Sequence, residues 1–245
     1  MSGAADPVRR FSGGFDGQHT VVVGVPQAGS GVPMFSEWPA AFGDVPFLRY
    51  HIPGRDRRRK EPAPTSIGNL CDDLASAVRG LGVGRVVLTG HCMGALVADA
   101  VAARLSHDMP VATVLSGMRP AREGLYGAYA SAMSDDEILS IMNAAQEAAG
   151  RPPVHTALAG LAVRTLREDV LLLTEYFGEG GEQDHPRTVV HWSQDAFVPV
   201  TDLECWKGFT STTVVQADGP PERYLAAGNA AIRCVEQLCT PAEYG

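Results

Sequence analysis

The sequence predicts an α/β fold in which a mainly parallel central sheet is flanked by helices. Three observations favour it: short apolar runs of strand composition recur along the chain, helical segments separate them, and one run passes through a glycine-bounded turn directly into a small-residue helix. A chain of 245 residues is long enough to bury a large core in a single domain.

Six apolar runs are predicted to be strands because they are rich in β-branched and aromatic residues. They are 19–25, 47–52, 85–90, 110–116, 188–192 and 211–215. Helices are predicted at 66–81, 95–103 and 223–238. In the first helix, Ile67, Leu70 and Leu74 recur at the spacing of one buried face. Since strands and helices alternate, βαβ units and a parallel sheet are expected.

Two stretches depart from this alternation. Residues 1–18 contain no apolar segment of the kind a secretory signal has, and they are predicted to be a flexible N-terminal extension ahead of a single domain over 19–245. Residues from about 119 to 166 are predicted to form a helical lid insertion over a pocket. Its predicted helices are 135–149 and 156–163, separated by a Gly-Arg-Pro-Pro break, and a further helix, 166–177, follows.

Composition argues against several classes of function. The formal net charge of −8 disfavours nucleic acid or an anionic membrane as the main partner. No segment has the roughly 20 apolar residues that a membrane span needs. The five cysteines are odd in number and show no metal-ligand spacing with histidines. We therefore expect a cytoplasmic protein with reduced thiols and without a metal or a resident cofactor.

The most informative motif is Gly90-His91-Cys92-Met93-Gly94, which lies between strand 85–90 and helix 95–103. A strand, a sharp turn and a helix with the pattern G-x-S-x-G form a nucleophile elbow, here with cysteine in place of serine. The helix N-terminus is expected to lower the pKa of the Cys92 thiol. His91 is predicted to point away from the pocket and to be structural.

The loop after the first strand is placed to stabilise an oxyanion. Its backbone N–H groups at Gln27 or Ala28 are predicted to join that of Met93 around a carbonyl oxygen. The alternative is a simple glycine-rich turn. The basic stretch 55–60 is open to two interpretations as well, a solvated loop or a contact with an acidic carrier protein or a phosphate.

These motifs in their order resemble the type II thioesterases of polyketide and nonribosomal peptide pathways. The segments that carry the resemblance are VPQAGSG, HIPGRDRRRKEP, GHCMGALVADAVA, PVATVLSG, LREDVLLLTEYF and SQDAFVPV. The resemblance implies an α/β-hydrolase fold with a helical lid, acting on acyl groups carried on the phosphopantetheine of an acyl or peptidyl carrier protein. It also places Cys92 at the nucleophile, Asp195 at the acid of the catalytic triad, and Gln27, Ala28 and Met93 at the oxyanion donors.

The chain departs from the family where the catalytic histidine is expected. Matching the family's H-F-x-L places Glu222 at that position, and no histidine follows His191. A cysteine tolerates the loss of its base better than a serine, because a few per cent of a free thiol is already ionised at neutral pH. Water, however, would have no base to activate it. Transfer of the acyl group from Cys92, or cyclising release, is therefore expected rather than simple hydrolysis.

Two other functions stay open at this point. Asp195 and Glu222 could act as acid and base in a non-hydrolytic cyclase or lyase, since two neighbouring carboxyl groups push one pKa upward. The chain could also be a non-catalytic relative that binds a carrier protein. Among the histidines, His191 is interpreted as a core residue, and His51 and His155 are weaker candidates for the site.

Overall fold

The computed structural model describes residues 7–120, 133–174, 176, 185–206, 209 and 211–240. The strands are β1 (Phe11–Ser12), β2 (Thr20–Val25), β3 (Ala41–Phe42), β4 (Val45–Tyr50), β5 (Arg85–His91), β6 (Val111–Ser116), β7 (Arg187–Trp192) and β8 (Thr212–Ala217). The helices are α1 (Ile67–Gly80), α2 (Met93–Leu105), α3 (Asp135–Ala148), α4 (Ala159–Thr174) and α5 (Ala230–Cys239).

The described strands form one mixed sheet of eight strands in the order β1-β4-β2-β5-β6-β7-β8, with β3 paired to β4. The pairs from β4 to β8 are parallel, and β1 and β3 run antiparallel to β4. The predicted α/β fold with a mainly parallel sheet is thus confirmed. Because parallel strands end at the same edge, the residues after β2, β4, β5 and β7 meet there.

The core lies on both faces of the sheet. One face packs against α1 and α2, and the other packs against α5 and an aromatic group after β2. Helix α2 is buried over most of its surface, because alanines let it lie close to the strands. The elbow therefore joins two elements, β5 and α2, that the packing holds firmly.

The N-terminal extension is not loose over the residues that the structure describes. Phe11 is 3% exposed and pairs with Tyr50 of β4, so β1 is the edge strand of the sheet. The prediction of a flexible extension over 1–18 is wrong for this part. The glycines of this segment suggest a flexible chain, but the buried side chain of Phe11 anchors it to the sheet edge.

The lid region is helical where it is described, and 121–132 lie outside the described residues. Helix α3 begins where predicted, with a capping box between Ser134 and Glu137. Two separate helices, 156–163 and 166–177, were expected next, and this is wrong: a short turn leads into one continuous helix, α4. Neither glycine nor proline stands between the two predicted segments, so nothing breaks the helix there.

The C-terminal helix begins later than predicted. Residues Pro221–Leu225 form a 3-10 turn, and α5 starts only at Ala230. Gly228, with φ of 61°, lies just before the helix, and the side chain of Asn229 accepts the Ile232 N–H as a helix cap. Over the described part of the chain, no helix is both long and apolar enough to cross a membrane.

Candidate active site

Cys92 lies at the sharp turn between β5 and α2. Its backbone has φ of 51° and ψ of −124°, an unusual conformation for a residue with a side chain. A Cβ on Gly90 would lie 2.2 Å from the carbonyl carbon of Gly94, and a Cβ on Gly94 would lie 2.2 Å from the Val25 oxygen. Both glycines are needed for strand, turn and helix to approach this closely. The strand–turn–helix geometry expected of the motif is present.

The Cys92 thiol is only partly exposed, and its surroundings disfavour the thiolate. Burial raises its pKa, and the negative charges of Asp195 and Asp169 raise it further, while a hydrogen bond from the Met93 N–H to the sulfur acts in the opposite direction. The expectation that the helix N-terminus lowers this pKa is wrong in its net direction. Desolvation and two carboxylates outweigh the single N–H donor.

His91 belongs to the packing beneath the elbow. Its Nδ1 lies 3.0 Å from the Ser116 hydroxyl oxygen, and its ring stacks on Tyr224 with centroids 5.2 Å apart. Burial lowers the pKa of His91 to about 4, so its ring is neutral at physiological pH. Ser116 also accepts the indole N–H of Trp192. The structural role predicted for His91 agrees with this geometry.

Asp195 follows β7 and is 8% exposed. Its Oδ1 accepts the backbone N–H groups of Phe197 and Val198, each at 2.9 Å. Burial raises the pKa of this carboxyl, although those two hydrogen bonds oppose the shift. His191 donates its Nε2–H to the Val198 carbonyl at 3.0 Å, as a satisfied core residue does. Asp195 is therefore a buried carboxylate fixed by two backbone hydrogen bonds, and its negative charge raises the pKa of Cys92.

No imidazole serves the thiol. All seven histidines of the chain lie in the described residues, and none of them is hydrogen-bonded to Cys92. His51 is buried with its Nδ1 3.5 Å from an Asp56 oxygen, and His155 accepts the Ala157 N–H at the turn before α4. Neither of these two weaker candidates is hydrogen-bonded to Cys92.

The three predicted oxyanion donors differ in the hydrogen bonds that their N–H groups make. The Gln27 N–H donates to the Met34 sulfur at 3.2 Å. The Ala28 N–H donates to no atom of the described residues, and the Met93 N–H points at the Cys92 sulfur. Among the described residues, the N–H groups of Gln27 and Met93 therefore each contact a sulfur atom, and the role of the three groups as oxyanion donors stays a prediction.

Asp169 is the site residue that the sequence analysis missed. It is 1% exposed on α4, and it accepts the Gly29 N–H at 2.7 Å and forms an ion pair with Arg55. A signal was available in the sequence, because Asp169 follows Leu166 and precedes Leu173 at the spacing of one helical face. An acidic residue on an apolar face indicates a buried partner.

The basic stretch 55–60 is not simply a solvated loop. Arg58 is 5% exposed and pairs with Asp73 and Glu61, and Arg55 pairs with Asp169. Its remaining basic side chains are exposed. Two of the arginines therefore stabilise the fold around the site.

Glu222 lies half-buried in the turn before α5, and no hydrogen bond or ion pair among the described residues joins it to Asp195. The turn is anchored instead by Tyr224, whose hydroxyl lies 3.0 Å from Thr89 Oγ1 and whose carbonyl accepts the Trp38 indole N–H. The paired carboxylates considered as an alternative are thus not joined by any hydrogen bond among the described residues. The two carboxylates that act on Cys92 are Asp195 and Asp169.

A cavity of about 570 Å³ lies away from the elbow, beside the strand ends opposite Cys92. It is lined by Arg85, Ser106, His107, Met109, His185 and Pro186, among others. In the part of the chain that is described, no three His, Cys, Asp or Glu side chains are grouped to hold a metal ion.

Comparison with known proteins identifies a family and several solved structures that this chain resembles. A thioesterase domain model matches residues 20–218. Among solved structures, the type II thioesterase BorB from the borrelidin biosynthetic cluster has 22% identity and a TM-score of 0.71 over 82% of this chain and 84% of that one. RedJ, a thioesterase from the prodiginine pathway of Streptomyces coelicolor, has 24% identity and a TM-score of 0.71 over 89% and 88%.

YbtT, a type II thioesterase from the yersiniabactin NRPS/PKS pathway, has 21% identity and a TM-score of 0.71 over 93% of this chain and 92% of that one. A search of curated proteins found no match. At these identities the solved structures establish a shared fold, and the domain model establishes the family. The chain belongs to the thioesterase domain family.

Proposed function

We propose that the protein is a thioesterase-type enzyme of a polyketide or nonribosomal peptide pathway. In this proposal it takes acyl thioesters from the phosphopantetheine of an acyl or peptidyl carrier protein through an acyl-Cys92 intermediate. One observation carries the proposal: the elbow holds Cys92 at φ of 51° with the Met93 N–H at its sulfur. The names of BorB and YbtT, both type II thioesterases, support the substrate class.

The first step is capture of the acyl group. The Cys92 sulfur forms a bond to the thioester carbonyl carbon, and the carbon–sulfur bond to pantetheine breaks. The thiol proton passes to the departing pantetheine sulfur, and in this proposal the Asp195 carboxylate relays it. Meanwhile the carbonyl oxygen, negatively charged in the intermediate, takes hydrogen bonds from the Met93 and Ala28 N–H groups. One thioester replaces another, so little driving force is needed.

The second step is release of the acyl group from Cys92, and it requires a stronger nucleophile than water. Without an imidazole, water lacks the general base that contributes about 10²–10⁴-fold in rate. We therefore propose that the acyl group leaves Cys92 by transfer to an amine, alcohol or thiol acceptor, or by attack from a nucleophile within the acyl chain itself. The protein would need no resident cofactor, because the pantetheine arrives with the substrate.

A product analysis with the full chain tests this function. An acyl-pantetheine thioester is incubated with and without an alcohol or amine acceptor, and free acid, transfer product and cyclised product are measured by mass spectrometry. We expect transfer or cyclisation to exceed hydrolysis, and Cys92→Ala to abolish both. Cys205→Ala is the matched control, because it removes another partly exposed thiol away from the elbow. Full turnover by Cys92→Ala would overturn the proposal.

A second function has an observation in its favour. Burial raises the pKa of both Cys92 and Asp195, and groups with shifted pKa values in one site are candidates for proton transfer. A non-hydrolytic cyclase or lyase would use Asp195 and Glu222 as its acid and base. In that case Glu222→Gln would impair turnover of the substrate far more than Cys92→Ala does. The opposite ranking is expected for the acyl-Cys92 enzyme.

A further inference from the structure

The loop that carries Ala28 is a tight turn of defined type. The Ser30 N–H donates to the Gln27 carbonyl at 3.1 Å, Gly29 has φ of 72°, and Ala28 keeps a negative φ. This combination is a type II turn, which needs glycine at its third residue. Its central peptide, between Ala28 and Gly29, is flipped relative to the more common type I turn.

A residue of helix α4 in the predicted lid region hydrogen-bonds this central peptide. Asp169 accepts the Gly29 N–H at 2.7 Å with one carboxylate oxygen, and its other oxygen pairs with Arg55. Arg55 in turn donates to the Ser30 carbonyl at 3.0 Å. One buried ion pair thus satisfies both the N–H and the C=O of the same turn, and it joins that turn to helix α4.

The lid helix also packs directly on the turn. A Cβ on Gly29 would lie 3.0 Å from the Cβ of Leu166, one helical turn before Asp169. If the central peptide flipped, the Ala28 carbonyl would face the Asp169 carboxylate in place of the Gly29 N–H. Two oxygens would then repel each other, so the carboxylate favours only the type II form.

We infer that Asp169, with Arg55, is a positioning residue that fixes the Gln27–Ser30 turn and, with it, the preceding peptide that carries the Ala28 N–H, the proposed oxyanion donor. This inference rests on the proposed acyl-Cys92 chemistry. A donor of this kind must be oriented before the charge develops, because reorientation during the reaction would cost rate. Asp169 would not contact the substrate and would act through the turn.

The same carboxylate has a second, opposing effect. After burial and Asp195, its negative charge is the third influence that raises the pKa of the Cys92 thiol. Removing the charge therefore makes more thiolate, while releasing the turn weakens stabilisation of the oxyanion. A variant that simply loosened the fold would not raise the thiolate fraction of Cys92 while weakening the stabilisation of the oxyanion.

Asp169→Asn is the variant that tests the role. Gly29 and Arg55 both donate to Asp169, and an asparagine offers an acceptor to only one of them. Asp135→Asn is the matched control. Asp135 is 76% exposed and forms a 2.7 Å ion pair with Arg167, so the same chemical change breaks a lid ion pair that does not touch the turn.

Two reagents report on Cys92 in each variant, with the modified peptide identified by mass spectrometry. Iodoacetamide reacts at a methylene carbon and needs no oxyanion donor, whereas an acyl-pantetheine thioester does. For Asp169→Asn we expect faster alkylation at pH 7.5, an acylation rate lower by about tenfold or more, and a KM within about twofold. Changes of the same sign with both reagents, or behaviour equal to Asp135→Asn, would overturn the inference.

Amide hydrogen exchange over residues 27–30 provides a readout that is independent of chemistry. We expect faster exchange over 27–30 in Asp169→Asn than in the wild type or in Asp135→Asn, while exchange in the sheet strands stays slow in all three proteins. Equal exchange in all three proteins would contradict a positioning role. If the wild type forms no acyl adduct, the proposed function fails, while exchange and alkylation still decide whether Asp169 holds the turn.

Discussion

The elbow and the turn before α5 are two parts of one expected active site, and they differ in how strictly they are built. At the elbow, Gly90 and Gly94 leave no room for a Cβ, and Cys92 is held in a strained conformation. In the turn, Tyr224 is fully buried, while Glu222 is half-buried and has no hydrogen bond to Asp195 among the described residues. The packing therefore constrains the nucleophile position more tightly than the position where the family has its base.

This difference indicates where the chemistry resides. Backbone strain persists only where the surrounding structure enforces it, and it is concentrated at functional sites. The elbow meets that description, and the turn is organised by an aromatic side chain that packs on the ring of His91. We infer that this chain depends on its nucleophile and oxyanion donors rather than on a general base.

The largest effect is expected from Cys92→Ser. A hydroxyl without a base is nearly inert, whereas the thiol still forms some thiolate at its raised pKa. We expect turnover of an acyl-pantetheine thioester to fall by about 10²–10⁴-fold, because a serine depends on general-base activation of that size, which this site lacks. Steady-state kinetics measure this fall in turnover, and Cys205→Ser is the control. Activity near that of the wild type would imply an unrecognised base.

Restoring an imidazole sharpens the comparison. If Glu222 occupies the histidine position, the double variant Cys92→Ser/Glu222→His should recover about 10- to 100-fold of the activity lost in Cys92→Ser, mainly as hydrolysis. Cys92→Ser/Glu222→Ala is the matched control and should recover nothing. Equal activity of the two double variants would show that position 222 does not reach the nucleophile.

The packing of the elbow can be tested through stability. A methyl group on Gly90 would meet the backbone of Gly94 at 2.2 Å, so Gly90→Ala should destabilise the protein by about 3 kcal/mol or more. The matched change Gly160→Ala lies in α4 with nothing within 4 Å, and it should be neutral or stabilise by up to about 1 kcal/mol. Denaturant unfolding distinguishes them, and similar values for both would contradict the close packing.

The smallest expected effect is a shift in the pH profile. Because burial and the two carboxylates raise the pKa of Cys92, the thiolate fraction should still be rising where free cysteine has levelled off. Alkylation rates of Cys92 measured from pH 7 to 10 should therefore reach their plateau at a higher pH than those of free cysteine. A plateau at lower pH would mean that the helix N-terminus dominates after all.

The sheet and the elbow could be predicted from sequence because their signals are local. Apolar runs mark each parallel strand, and glycines two residues before and after Cys92 mark the sharp turn. The antiparallel β1 could not be predicted, since a two-residue strand has no pattern of its own. The last predicted helix begins later than its apolar pattern suggests, because Gly228 takes a positive φ and Asn229 caps the helix.

The site was less predictable because its energetics are not local. The sequence places Cys92 at a helix N-terminus, but it does not show that Asp169, which lies 77 residues later (169 − 92), brings a second negative charge to the thiol. Nor does it show that Met34 takes the Gln27 N–H and leaves Ala28 as the free donor. Both depend on how the lid and the loop after β2 pack.

The most direct measurement is the mass of the intact protein after incubation with an acyl-pantetheine thioester, followed by mapping of the modified peptide. We predict an increase equal to one acyl group, located on Cys92, that decays slowly in water and quickly when an acceptor amine or alcohol is added. Turnover of the same thioester with no acyl group ever detected on Cys92, in rapidly quenched samples, would contradict the proposal that a thiol without an imidazole carries the reaction.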